Sequence, residues 1–169
     1  MKTIVIGLGN PILGDDGIGW RVAEQVEKRL LENNPMAASK PDKNERPPSD
    51  SIEVEYLSLG GLSLMEHMIG YDRAILIDAI KSDNAPIGTV SSFPLAELPN
   101  RAIGHFSSAH DTTLQNAIQV GRSMGAQLPE DIMVVAVEAE FIYDFSEQLS
   151  PPVAASIPEA THTVMELLK

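Results

Sequence analysis

Cysteine is absent from the 169 residues, which excludes disulfides, thiolate nucleophiles and cysteine-ligated zinc or iron–sulfur centres together. The same absence fits a reducing compartment. Positive charge is scarce: 12 Lys and Arg stand against 24 Asp and Glu, a formal net charge of −12. Nucleic acids need a basic footprint and anionic membranes attract basic segments, so neither is an expected partner. No uncharged apolar run approaches the roughly 18 residues of a membrane span. Residues 1–10 have neither the long apolar core nor the small-residue cleavage site of a secretory signal, so a cytoplasmic protein is expected. The length suits a single domain over residues 1–169, and no internal repeat is visible.

What is present alternates between two periods. Residues 3–8 (TIVIGL), 74–80 (AILIDAI) and 132–137 (IMVVAV) are compact apolar runs that predict fully buried strands. Residues 52–57 (IEVEYL) alternate, which predicts a strand with one solvated face, and 89–93 predict a further strand. Between them lie helical patterns. Ile18, Val22, Val26 and Leu30 recur at four-residue spacing with Ala23 and Leu31 beside them, and Asp15 and Asp16 stand where the helix dipole favours negative charge. Residues 62–70 predict a short helix. Residues 111–124 predict another, with Leu114, Ile118 and either Val120 or Met124 inward, and 153–168 a last one kinked at Pro158. Buried strands alternating with amphipathic helices give an α/β fold with a mainly parallel sheet covered on both faces. Sites in such sheets gather outside the carboxyl ends of the strands, which directs attention beyond Leu8 and to Asp78.

Several familiar site patterns fail on inspection. Gly7-x-Gly9 begins a dinucleotide fingerprint, but Ile12 stands where the third glycine belongs and two aspartates would repel a pyrophosphate. Gly61-Leu62-Ser63-Leu64-Met65 lacks the closing glycine of a nucleophile elbow, so no serine-triad pattern is present. A covalent acyl-enzyme is therefore not expected.

Carboxylates and histidines remain. One acidic residue in a first helical turn is ordinary, but Asp15 and Asp16 are consecutive and flanked by Gly14 and Gly17, which let the backbone approach something closely. Asp78 interrupts an apolar strand, where an unpaired carboxylate costs several kcal/mol. His67 and His162 read as surface residues, whereas His105 and His110 bracket a loop leading into a helix. Asp16, Asp78 and one of these two loop histidines would make a two-carboxylate, one-imidazole metal site with open positions, suited to Zn, Ni, Mn or Fe.

The run GLGNPILGDDGIG from Gly7 to Gly19 closely resembles the opening of the nickel–iron hydrogenase maturation endopeptidases. The resemblance continues in order through Leu59-Gly60-Gly61, ILIDA at 75–79, Ser108-Ala109-His110 and Leu149-Ser150-Pro151, and so covers nearly the whole chain. It implies a three-layer α/β/α sandwich and removal of the C-terminal extension of a hydrogenase large-subunit precursor after nickel insertion. The family's metal-contacting residues, its catalytic set, fall on Asp16, Asp78 and His110; His105 matches none of them. The nickel would be carried by the precursor and contacted transiently, with no organic cofactor. Two alternatives come from other classes. A non-catalytic nickel-sensing or chaperone module would keep the metal contacts and leave the precursor uncut. Peptidyl-tRNA hydrolases share a strand followed by a Gly-x-x-Asn-Pro turn, but the net charge and Asp15-Asp16-Gly17 fit them poorly.

Residues 33–51 (NNPMAASKPDKNERPPSDS) are longer than the family's usual connection, and four prolines with few apolar residues predict a Pro-rich surface loop. Deleting residues 40–50 is expected to change stability little, because a doubling of loop length alters closure entropy by only about 0.6 kcal/mol. Thermal melts of the deletion variant check this, and a large loss of Tm would show the segment to be packed.

Overall fold

The alternating pattern folds into one five-stranded sheet in a computed structural model that describes residues 1–33, 51–82, 84–98, 113–140 and 145–169. Its strands are β1 (Thr3–Leu8), β2 (Ile52–Leu57), β3 (Arg73–Ile80), β4 (Val90–Pro94) and β5 (Asp131–Glu138). The helices are α1 (Ile18–Asn33), α2 (Gly61–His67), α3 (Leu114–Ser123) and α4 (Pro151–Leu167), with a short 3-10 turn, Gly14–Gly17, leading into α1. Strand order is β2-β1-β3-β5-β4, parallel throughout except that β4 runs antiparallel to β5 at the edge. Among the described residues no helix is long and apolar enough to cross a membrane.

The apolar strands are buried on both faces because successive side chains point to opposite layers. Val5, Ile75, Ile77, Val135 and Val137 pack with Ile18, Val22 and Val26 of α1 and Val153, Ala160 and Val164 of α4. Ile4, Ile6, Leu76, Val134 and Ala136 face the other way, onto Leu64 and Met65 of α2 and Leu114, Ala117 and Ile118 of α3. The result is the expected α/β/α sandwich.

Two glycines set how α1 enters this frame. A Cβ on Gly19 would lie 2.1 Å from the Leu8 carbonyl oxygen and 2.5 Å from that of Ile77. One on Gly7 would lie 2.5 Å from the Gly19 carbonyl oxygen. Helix α1 therefore starts in direct backbone contact with the carboxyl ends of β1 and β3. Chain connections leave β1 towards β2 on one side, while β3 lies on the other, so the switch point, the place where such sheets carry their crevice, falls between β1 and β3.

Details depart from the sequence pattern where packing overrides it. Leu31 lies beyond the stripe and is exposed, whereas Leu30 is partly buried. Helix α3 turns Val120 and Met124 to solvent and buries Ala117 and Gly121 instead; a Cβ on Gly121 would lie 2.9 Å from the Met65 sulfur, so α2 and α3 approach through that glycine. The acidic face of β2 is half-buried rather than solvated: the Tyr71 hydroxyl donates to Glu53, and His67 Nδ1 lies 2.8 Å from Glu55. Helix α4 begins at Pro151 and runs on past Pro158, whose ring faces solvent. Residues 34–50, the bulk of the Pro-rich stretch, lie outside the described residues.

Gly19→Ala is expected to destabilise the protein by about 3 kcal/mol, since backbone rather than a flexible side chain must move. At this size that corresponds to a loss of roughly 6–12 °C in Tm, measured by thermal unfolding.

A second prediction concerns alkali. Burial first, then hydrogen bonds to Glu27 and Glu53, raise the Tyr56 and Tyr71 phenols above their ordinary value. The folded protein thus keeps protons that the unfolded chain releases from about pH 10 upward, so stability declines with rising pH there. In the double variant Tyr56→Phe/Tyr71→Phe the decline should flatten, which urea titrations at several alkaline pH values would detect.

Candidate active site

The segment after β1 is built by close contacts before it is built by chemistry. Gly9 has φ +128°, and a Cβ there would fall 1.8 Å from the Asp16 carbonyl oxygen, so only glycine fits. The Asn10 N–H donates to Asp16 Oδ2 at 2.7 Å, and the Ser58 hydroxyl donates to the Gly9 carbonyl at 2.6 Å. Trp20 Nε1 donates to the Leu57 carbonyl at 3.3 Å. These bonds tie the turn after β1 to the end of β2 and hold half-buried Asp16 over the sheet's carboxyl end.

Asp78 lies near the end of β3 with no exposed surface, its backbone in register with Ala136 of β5. Alternation along β3 puts it on the face of Leu76 and Ile80, the α2–α3 side. The turn carrying Asp16 packs against β3. Asp16 thus lies on a turn that packs against β3, and Asp78 lies near the carboxyl end of β3. His110, and the competing His105, lie outside the described residues. The other histidines are where the sequence put them: His67 beside Glu55 on α2, and His162 exposed on α4 with Nε2 3.9 Å from Glu166. The Glu166 carboxyl is held below its ordinary value by the hydrogen bond from Lys169.

Asp15 departs from expectation. Rather than serving the start of α1, its carboxylate reaches the beginning of α4: Oδ1 accepts from the Ser150 N–H at 2.6 Å and Oδ2 from the Ser150 hydroxyl at 2.7 Å. The cause is the 3-10 turn, whose roughly 120° per residue sends neighbouring side chains in different directions. Around this contact Gly14 N–H donates to the Ser146 carbonyl at 2.6 Å, and Ser146 N–H to that of Ile12 at 3.0 Å. Ile12 and Phe145 are exposed beside this junction, 45% and 85% accessible.

A third carboxylate at this end of the sheet escaped the sequence reading. Glu138, buried at the end of β5, accepts from the Ser82 N–H and the Ser82 hydroxyl, each at 2.7 Å. The available signal was a Glu closing the run IMVVAV, the counterpart of Asp78 in AILIDAI. Its bonds fasten the segment after β3 to β5.

Known proteins match this arrangement. A family model described as hydrogenase maturation protease matches residues 45–167. The Hydrogenase 2 maturation protease of Escherichia coli K12 is 27% identical over 169 residues, 100% of this chain and 92% of that protein. The solved structure of the hydrogenase maturating endopeptidase HybD from E. coli is similar with a TM-score of 0.70 at 26% identity, covering 99% of this chain and 92% of that one. The [NiFe] hydrogenase maturation protease HybD from Thermococcus kodakarensis shares the fold, with a TM-score of 0.70 at 22% identity over all of both chains. A family match over residues 45–167, well over half of the chain, settles its membership: the chain belongs to the hydrogenase maturation protease family.

Proposed function

We propose that the protein removes the C-terminal extension of a nickel–iron hydrogenase large-subunit precursor, and does so once nickel has been inserted. What supports this reading is a chain of this protease family in which the turn carrying Asp16 packs against β3, the strand whose carboxyl end carries buried Asp78. The nickel belongs to the precursor. Asp16, Asp78 and His110 contact it, so that the substrate's own ion holds the scissile bond in place, a positioning effect. Buried and half-buried carboxylates suit this task, because attraction to a cation is stronger where water screens it less. The exposed apolar side chains of Ile12 and Phe145 beside the turn suit an extended polypeptide.

Incubating the purified protein with nickel-loaded precursor and weighing the product tests the reading; an intact precursor would favour a non-catalytic nickel-sensing module. Asp16→Ala, Asp78→Asn and His110→Ala are each expected to reduce processing by at least about 10²-fold with the fold intact by circular dichroism. Asn replaces Asp78 because the site is fully buried. Wild-type processing by His110→Ala, with His105→Ala inactive, would assign the role to the other histidine.

A further inference from the structure

The doublet Asp15-Asp16 uses two identical side chains for two different purposes. Asp16 turns back to the Asn10 amide, whereas Asp15 reaches across 135 residues of sequence to Ser150. Ser150 is the N-cap of α4, yet its hydroxyl caps none of that helix's amides. The hydroxyl and the N–H both donate to Asp15 instead. Asp15 thus acts as the anion at the positive end of α4, supplied from another part of the chain. Two backbone bonds flank it, Gly14 to Ser146 and Ser146 to Ile12, and form a parallel bridge between Leu13 and Ser146.

The turn is therefore held at two ends. Gly9 and Asn10 anchor it to β1, and Asp15 anchors it to α4, which packs against α1 and β5. A single 3-10 turn has few backbone bonds of its own, the Ile18 N–H to the Asp15 carbonyl and the Asp16 N–H to the Leu13 carbonyl among them, so bonds made from outside the turn matter to its orientation.

We propose that Asp15 is a positioning residue: its bonds to Ser150 fix the rotation of the Gly14–Gly17 turn and so aim Asp16 at the substrate. The proposal rests on the function proposed above, and it assigns Asp15 no contact with substrate or metal.

Three variants separate positioning from direct participation. Asp15→Ala removes both acceptors and should lower kcat on nickel-loaded precursor by on the order of 10²-fold while KM moves little, as expected for an angstrom-scale misplacement. Asp15→Asn keeps an oxygen for the Ser150 N–H, and the Ser150 hydroxyl can turn to accept from its amide, so most of the rate should return. Asp15→Ala/Ser150→Ala should be no slower than Asp15→Ala alone, because both changes remove one interaction. Asp15→Asn as inactive as Asp15→Ala would overturn the proposal, since the charge itself would then be needed. So would a wild-type kcat for Asp15→Ala.

Amide hydrogen exchange on the precursor-free protein supplies the second readout, independent of cleavage. Asp15→Ala should speed exchange at Ser150, Gly14 and Asn10 and leave the β1 and β3 amides protected. If wild-type protein leaves the precursor uncut, the proposed function fails while this arm still decides the clamp. Unchanged exchange at Asn10 would show that Asp16 holds its place without Asp15, and the positioning role would be wrong.

Discussion

The structure depends on one close approach, that of the first turn of α1 to the carboxyl ends of β1 and β3. At Gly19 there is no space for a methyl group against either the Leu8 or the Ile77 carbonyl, and Gly7 faces the same helix from below. Nothing larger than glycine brings a helix axis so near the sheet. Because α1 starts there, the chain between β1 and α1 must double back over the crevice within the few residues from Gly9 to Gly17. Gly9 supplies the left-handed backbone for that reversal, and Pro11 is so near that a Cβ on Gly17 would meet it at 2.9 Å. The placement of Asp16 follows from these contacts.

Four carboxylates gather at one end of the sheet, and their surroundings divide them. Glu138 is bound through both oxygens to Ser82 and joins two segments. Asp15 is bound through both oxygens to Ser150 and joins two others. Asp16, half-buried on the turn that packs against β3, accepts from the Asn10 amide, and Asp78 is wholly buried near the end of β3. Burying a carboxylate costs several kcal/mol unless partners offset it. Serine hydroxyls and backbone amides offset it for the joining pair, and the Asn10 amide does so for one oxygen of Asp16.

The sheet was legible because β1, β3 and β5 are buried on both faces and so read as apolar runs such as AILIDAI and IMVVAV, whose shortness and β-branched content favour strands over buried helix. The helices were legible through their apolar spacing, but only to the extent that packing is even. On α3 the spacing offered Val120 or Met124, while the contact with Met65 selects Gly121, a residue that carries no hydrophobic signal. The acidic stripe of β2 looked solvated because alternation reports polarity and not partners; Tyr71 and His67 arrive from elsewhere in the chain. Asp78 stood out as a charge inside an apolar run. The job of Asp15 could not be read, since Ser150 lies 135 residues away and local sequence says nothing of such pairs.

On the proposed reading, burial also accounts for the requirement that nickel be present first. A precursor that carries a cation brings the buried Asp78 and the half-buried Asp16 an opposite charge in a place poor in water, where the attraction is strongest. A precursor without it would bring uncharged polypeptide to the same carboxylates and add no opposite charge. Selectivity of this kind is a difference between two binding free energies, and much of it comes from penalising the wrong partner. The net charge of −12 acts in the same direction at longer range, favouring a cationic feature on the incoming surface. Local burial, however, decides the contrast, because surface charge is screened by salt within about 10 Å and the crevice carboxylates are not exposed to it to the same degree.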